Sequence, residues 1–588
     1  MGPPPEEPPR LSVGNPVVAL STTSRPVPCC SLQEAGAHRG VSVPADNRAA
    51  PTRSAMRGHP EPRRGVGEMC GIAASYPVDD AFITAALRAQ AARGPDQTAS
   101  VDLGFCALGV NRLAISGLDG GHQPLGSADG SVVVVFNGAI YNADRLIERY
   151  GLTPRSGNDG EIIHFLYQRY GLSFADHLEG MFAICLADLR RRELVVAVDQ
   201  VGIKPLYWCD TSRGRYVAST LAAFPPELRR QVRRVPPGTV WSTSGEGRRI
   251  VHEHTLQGAL GDLLTASVAE QLPHEVRWGC MLSGGVDSSL IARIATEFVG
   301  AGAVETFTCG TGSSTDLTAA RQVAEMLGTK HHEIIVDPDE LPEIVDRVVE
   351  ATGSFERWTV MAGVGTYLTA RAARQEGTKV LLSGEGADEL FGGYDEFQEV
   401  PTPYLDSMLL QYQADLGVSE CLRLDRCTMA HGVEVRVPFL CTPVMRHARE
   451  LPVADKIRTV NGVPVRKWAL REFARTLLPA HVADRRKEEF TNGSGLTAEL
   501  RRIAEAMFPP TRVADIVAAH PSFPVDDPFS AWFFTRWWEA NGNSLGDNWQ
   551  SMVDRGLFRQ QWSIYHQPNG RDFALYRSAP ASGKGNAE

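Results

Sequence analysis

Gly279-Cys-Met-Leu-Ser-Gly-Gly-Val-Asp-Ser-Ser289, running on into Leu290-Ile-Ala-Arg-Ile-Ala295, reads as a short apolar strand, a tight turn and a helix start. The turn is Ser283-Gly284-Gly285. Adjacent glycines let backbone approach a phosphate closely, and the first helical N–H groups present unpaired donors to an anion. Ser283, Ser288 and Ser289 add hydroxyls. Asp287 would repel phosphate unless a cation lies between, so a Mg2+ bridging Asp287 and pyrophosphate oxygens is expected. The lysine of a Walker-type loop is missing.

A second stretch of the same kind follows about a hundred residues on: Lys379-Val-Leu-Leu-Ser-Gly-Glu-Gly-Ala-Asp-Glu389. Two acidic, glycine-containing loops at the carboxyl ends of parallel strands are where an α/β sheet takes a nucleotide, and Asp388 can join Asp287 on the metal. Between them Thr306-Phe-Thr-Cys309 reads as a strand and Asp316–Gly328 as an amphipathic helix with a glycine stop. His331 and His332 are adjacent on a strand, so their side chains point to opposite faces and do not form a metal site.

Length favours several domains, and 43% hydrophobic with 22% charged residues describes an ordinary globular chain. A formal net charge of −10 leaves no footprint for nucleic acid, and no apolar run is long enough to span a bilayer. The 11 cysteines lack framework or zinc spacing, which fits a reducing, cytoplasmic setting. Residues 1–68 hold 12 of 38 prolines, with arginine-rich patches and few aromatics, and are expected to be a disordered extension. Residues 567–588 are expected to be a disordered tail.

At Met69-Cys70-Gly71-Ile72 the text changes character. A cysteine made N-terminal by loss of the preceding methionine carries thiol and free amine together, so the amine can act as local base. The extension 1–68 is therefore expected to be absent from the active protein. Behind Cys70 come Arg93-Gly-Pro-Asp96, Asn111-Arg-Leu-Ala-Ile115, Phe136-Asn-Gly138, Ser156-Gly-Asn-Asp159 and Asp199-Gln-Val-Gly-Ile-Lys-Pro-Leu-Tyr207. Arg112 offers a fork for an α-carboxylate; Asn137 and the Gly138 N–H suit an oxyanion; Asp159 suits an α-ammonium.

In order and spacing these motifs resemble the class II glutamine amidotransferase domain. The loops at 283–289 and 383–389 resemble the SGGxDS pyrophosphate loop and the rest of the asparagine synthetase C-terminal domain, together with Arg423-Leu-Asp-Arg426, Lys467-Trp-Ala-Leu-Arg471 and Arg485-Arg-Lys487. The resemblance covers about 70–500. It implies an N-terminal-nucleophile hydrolase αββα sandwich at 70–250. A parallel-sheet α/β ATP-pyrophosphatase domain at 258–560 would follow.

It further implies that Cys70 hydrolyses glutamine and that Met281, Ser283, Gly284, Gly285, Asp287, Ser288, Cys309, Ser383, Gly384 and Asp388 hold ATP and Mg2+. Glu385 would lie at the acyl-adenylate centre and Lys487 would neutralise phosphate charge. Ammonia would pass between domains to amidate a carboxylic acid. Glutamine, ATP and that acid are the implied small-molecule substrates; a homodimer is compatible with the sequence, which does not fix oligomeric state.

The chain departs from the family pattern in places. Ala139 stands for a glutamate beside the amino donor, Val198 for an arginine and Thr220 for a glutamate. Trp358 and Met361 fall where asparagine synthetases have a threonine and an arginine that grip aspartate, so an apolar wall and an acceptor other than aspartate are expected. Arg357 is a substitute clamp in reach. Two other readings stay open: a cyclising ligase resembling β-lactam synthetases, against which Cys70 counts, and a non-catalytic relative.

Overall fold

The computed structural model describes residues 70–252, 256–398, 400–486 and 490–559, and the backbone of the strands Trp562–His566 and Phe573–Arg577. The extension 1–68 and Lys487 lie outside the described residues, as does most of the tail. Within that tail Phe573–Arg577 pairs antiparallel with Trp562–His566, which corrects the expected disorder there.

Valine-rich runs such as Val132–Ile140 and Glu193–Val198 are buried along nearly their whole length and form strands, as β-branched residues favour. One six-stranded antiparallel sheet centres on Gly71–Tyr76, flanked by Ala107–Arg112 and Gly214–Ala218. A second centres on Gly180–Asp188, flanked by Val132–Ile140 and Glu193–Val198. Ile72, Val110, Val135, Cys185 and Val196 interdigitate between them. Helix Asp80–Ala89 covers the first sheet with Phe82, Ile83, Ala86 and Leu87. Helices Ala143–Tyr150 and Glu161–Tyr170 cover the second. This is the expected layered sandwich.

The following residues build a five-stranded, all-parallel sheet in the order Lys330–Ile335, Glu305–Gly310, Trp278–Met281, Val380–Leu382, Glu434–Arg436. Strand order reverses between Trp278–Met281 and Val380–Leu382, so a crevice opens beyond their carboxyl ends. Both glycine loops leave those two strands. Helix Val286–Val299 starts directly after Gly285 and stops at Gly300. Helix Pro528–Asn541 buries Phe529, Trp532, Phe533 and Trp537. None of the described helices is long and apolar enough to cross a membrane.

Candidate active sites

Cys70 stands directly before Gly71–Tyr76, at the end of the first sheet where Gly71 pairs with Asn111. Its Sγ accepts from the Leu113 N–H at 3.1 Å, and its carbonyl accepts from Arg93 Nε at 3.0 Å. Burial pushes the thiol up to about 11; the Leu113 N–H pulls the other way without cancelling it. A thiol this reluctant to ionise needs a base beside it.

Asn137 and Gly138 reach Cys70 from the opposite sheet, on Val132–Ile140. The Asn137 Nδ2 is buried and has no hydrogen-bond partner, a donor left for something that binds. Gly138 has φ +148°, and a Cβ there would lie 1.9 Å from the Met181 carbonyl oxygen, so only glycine fits. Arg112 donates from Nη2 to the Ser116 and Gly117 carbonyls at 2.7 and 3.0 Å. Asp159 accepts from Ser116 Oγ and from the Ile140 N–H, both at 2.6 Å, while burial raises its pKa. Cys70, Arg112, Asn137, Gly138 and Asp159 all line one cavity of about 240 Å³.

Residues far along the chain close that cavity: Leu272, Pro273, Glu275, Glu434 and Arg436. Glu275 accepts from the Gly117 and Leu118 N–H groups at 2.8 and 3.1 Å, pinning the loop whose carbonyls hold Arg112. Nothing in the local sequence around Glu275 signals this.

A second cavity, of about 390 Å³, lies in the crevice of the parallel sheet. Met281, Ser283, Asp287, Ser288, Cys309, Ser383, Gly384, Glu385 and Asp388 line it. Gly285 lines a smaller adjoining cavity of about 40 Å³ with Lys467, Arg471, Arg485 and Arg486. Gly284 lines neither but makes the turn: φ is +72°, and a Cβ would lie 2.5 Å from the Ala319 backbone. The Lys467 Nζ bridges Asp287 and Asp388, 2.6 Å from each. Asp287 Oδ1 is buried with no hydrogen-bond partner. Among the described residues no group of three His, Cys, Asp or Glu side chains could hold a metal ion. Two carboxylates fit an ion whose remaining ligands come from phosphate and water, as is usual for Mg2+.

The family profile described as a glutamine amidotransferase domain matches residues 69–240, and the one described as asparagine synthase matches 259–404 and 398–523. The asparagine synthetase B (glutamine-hydrolysing) of Escherichia coli is 35% identical over 432 residues, which is 68% of this chain and 77% of that one. The chain belongs to the asparagine synthase family. The corresponding enzyme of Zea mays is 31% identical over 535 residues, 83% of this chain and 89% of its own. That of Asparagus officinalis is 35% identical over 431 residues, 68% and 72%. The family is one of ATP-dependent carbon–nitrogen ligases.

Two details of the acceptor wall differ from expectation. The cavity face of helix Arg357–Gln375 carries Trp358, Thr359, Ala362, Thr366 and Thr369, at helical spacing. Met361 falls off that stripe and is wholly buried in the core, so it makes no wall. Arg357 is not the substitute clamp: it donates to Asp527 Oδ2 at 2.7 Å and stacks over Trp358 and Phe529. The guanidiniums that do line the cavity are Arg423 and Arg559. Arg423 is tied to Glu385 at 2.6 Å and to Thr366 at 2.9 Å, and Arg559 to Glu356.

The basic cluster of Lys467, Arg471 and Arg485 was legible only as motif residues without assigned roles. Arg485 donates to the Ser283 carbonyl at 3.0 Å and to Asp316 Oδ1 at 3.0 Å, which places its charge against the glycine turn.

Proposed function

We propose that this protein is a glutamine-dependent amidotransferase that amidates a carboxylic acid other than aspartate. Glutamine, ATP, water and the acid would give glutamate, AMP, pyrophosphate and the amide. The α-amine of Cys70, once freed, takes the thiol proton. Sγ attacks the glutamine amide carbon, and the oxyanion falls to Asn137 Nδ2 and the Gly138 N–H. Ammonia leaves, and water then hydrolyses the thioester.

In the second cavity, the acceptor carboxylate attacks the α-phosphate of ATP and pyrophosphate departs toward Lys467, Arg471 and Arg485. Asp287 and Asp388 would hold Mg2+, which when bound offsets phosphate charge. Released ammonia attacks the acyl-adenylate, expelling AMP. Travel through the protein matters because ammonia in neutral water is mostly ammonium, which is not a nucleophile.

The observation that carries the acceptor reading is the pairing of both guanidiniums that line the cavity. Aspartate brings a second carboxylate, and among the described residues lining this cavity each arginine already faces a glutamate. Desolvating that carboxylate without a partner costs several kcal/mol. The test is a panel of alkyl, aryl and polyene acids beside aspartate, with glutamine and ATP saturating, scored for AMP and amide by mass spectrometry. A larger or less polar acid should be preferred. Efficient turnover of aspartate, at kcat/KM of about 10⁴ M⁻¹s⁻¹ or above, refutes this and makes the protein an asparagine synthetase.

A further inference from the structure

Helix Glu420–Met429 belongs to the ATP-binding half of the chain, yet it reaches the backbone of the cysteine nucleophile. Its residues are buried almost throughout. Asp425, 1% exposed, meets the guanidinium of Arg93, 3% exposed, through two parallel contacts: Nη1 to Oδ2 at 3.0 Å and Nη2 to Oδ1 at 3.1 Å. The third nitrogen of that fork, Nε, donates back to the Cys70 carbonyl at 3.0 Å. A guanidinium is planar and rigid, so fixing two nitrogens fixes the third.

The pair is embedded in a charged seam between the two halves. Lys204 is fully buried, with Nζ 3.8 Å from Asp425 Oδ1 and 3.7 Å from Glu434 Oε2. Arg426, next on the helix, donates to the Ser219 carbonyl, and Ser219 pairs by Oγ with the Ile72 N–H at 3.0 Å. Burial alone would raise the Asp425 carboxyl; Arg93, Lys204 and Arg426 overcome it and hold the group below its usual range. An ionised Asp425 is thus the counter-charge that lets a buried arginine stand behind Cys70.

We propose that Asp425 is a positioning residue for Cys70, acting through Arg93, so that the glutamine-hydrolysing site is completed by the ATP-binding half. The carbonyl carbon of Cys70 is bonded to the Cα that carries its amine directly and its thiol through Cβ. Rotating that peptide plane moves both reacting groups relative to Asn137 and Gly138. Arg423, two residues before Asp425 on the same helix and on its opposite face, holds Glu385. One helix therefore braces Glu385 of the second cavity through Arg423 and, through Asp425 and Arg93, the backbone of Cys70 in the first.

The inference rests on the proposed role of Cys70, and its test separates the two. Full-length protein in its active form carries Asp425→Asn, Asp425→Glu, Arg93→Lys or the Asp425→Asn/Arg93→Lys double change. Glutamate release from glutamine gives kcat and KM; iodoacetamide labelling of Cys70, mapped by mass spectrometry across pH, reports its placement without any substrate. Asp425→Asn should lower kcat at least tenfold with KM changed less than threefold, and should shift the labelling profile. Arg93→Lys should do the same, the double variant should lose no more than either alone, and Asp425→Glu should recover part of the rate. Wild type that hydrolyses no glutamine overturns the role of Cys70, while a shifted labelling profile in Asp425→Asn would still support the positioning. Labelling and kcat within twofold of wild type in a folded Asp425→Asn variant overturn the proposal. So do additive losses in the double variant.

Discussion

The Lys467 ammonium lies 2.6 Å from Asp287 Oδ2 although the two residues are 180 positions apart in sequence. The same nitrogen is 2.6 Å from Asp388 Oδ1, and the lysine side chain is 1% exposed. One buried cation thus holds together the two carboxylates expected to carry Mg2+. Replacing it by methionine leaves both facing each other, and breaking a buried ion pair costs about 3–5 kcal/mol. Lys467→Met should melt well below wild type in EDTA and regain more of its stability than wild type does when Mg2+ is added. An equal response of the two proteins to Mg2+ would show that Asp287 and Asp388 are not its ligands.

The two half-reactions should separate. Cys70→Ala is expected to abolish glutamine hydrolysis and to leave amide formation from added ammonium within a few-fold of wild type. Asp287→Asn is expected to do the reverse. Loss of the ammonium-driven reaction in a folded Cys70→Ala protein would sink the scheme of two separate cavities.

Labelling of Cys70 should depend on what precedes it. With a peptide ahead of it the thiol titrates at about 11, so its alkylation should climb with pH from neutrality upward without levelling off below that value. The shift is upward, so the thiol is protonated and slow throughout the physiological range. Freeing the α-amine puts a cation on the same residue when it is protonated, which favours the thiolate. N-terminal sequencing of active native protein should begin at Cys70. Full glutaminase activity with the extension still attached would count against this.

Glu275 offers a separate handle on glutamine affinity. It holds the Gly117 and Leu118 N–H groups, and that loop holds Arg112. Hydrogen bonds to a charged group contribute about 1.5–3 kcal/mol, so Glu275→Ala should raise KM for glutamine about tenfold or more. The kcat should change little, since Cys70, Asn137 and Gly138 are untouched. A fall in kcat at unchanged KM would show that the loop does not serve binding.

Strands, turns and the order of motifs were legible in the sequence because they rest on short-range chemistry. A Gly-Gly pair after a β-run and before a helix admits the left-handed turn that other residues resist, and Gly284 at φ +72° adopts it. The cysteine after a methionine, the Asn137-Gly138 pair and the two acidic loops each carry their meaning within a few residues. The acceptor wall was read correctly at Trp358, which lines the cavity, and wrongly at Met361, which sits in the core while Ala362 faces the cavity. A linear motif names neighbours in sequence, whereas a helix presents every third or fourth residue to one face.

What the chain determined alone was the local grammar: two glycine loops on parallel strands, a nucleophile poised for exposure, and a sandwich of valine-rich strands. Tertiary structure decided which charges meet. Arg93 and Asp425, Lys467 and Asp287, Arg423 and Glu385 are each far apart in sequence, and each charged side chain has many opposite charges it might have found. Burial selects among them, because an ion removed from water must have its partner within a few ångströms or not be ionised at all. That selection is made by the packing of whole sheets and helices, and no run of neighbouring residues encodes it.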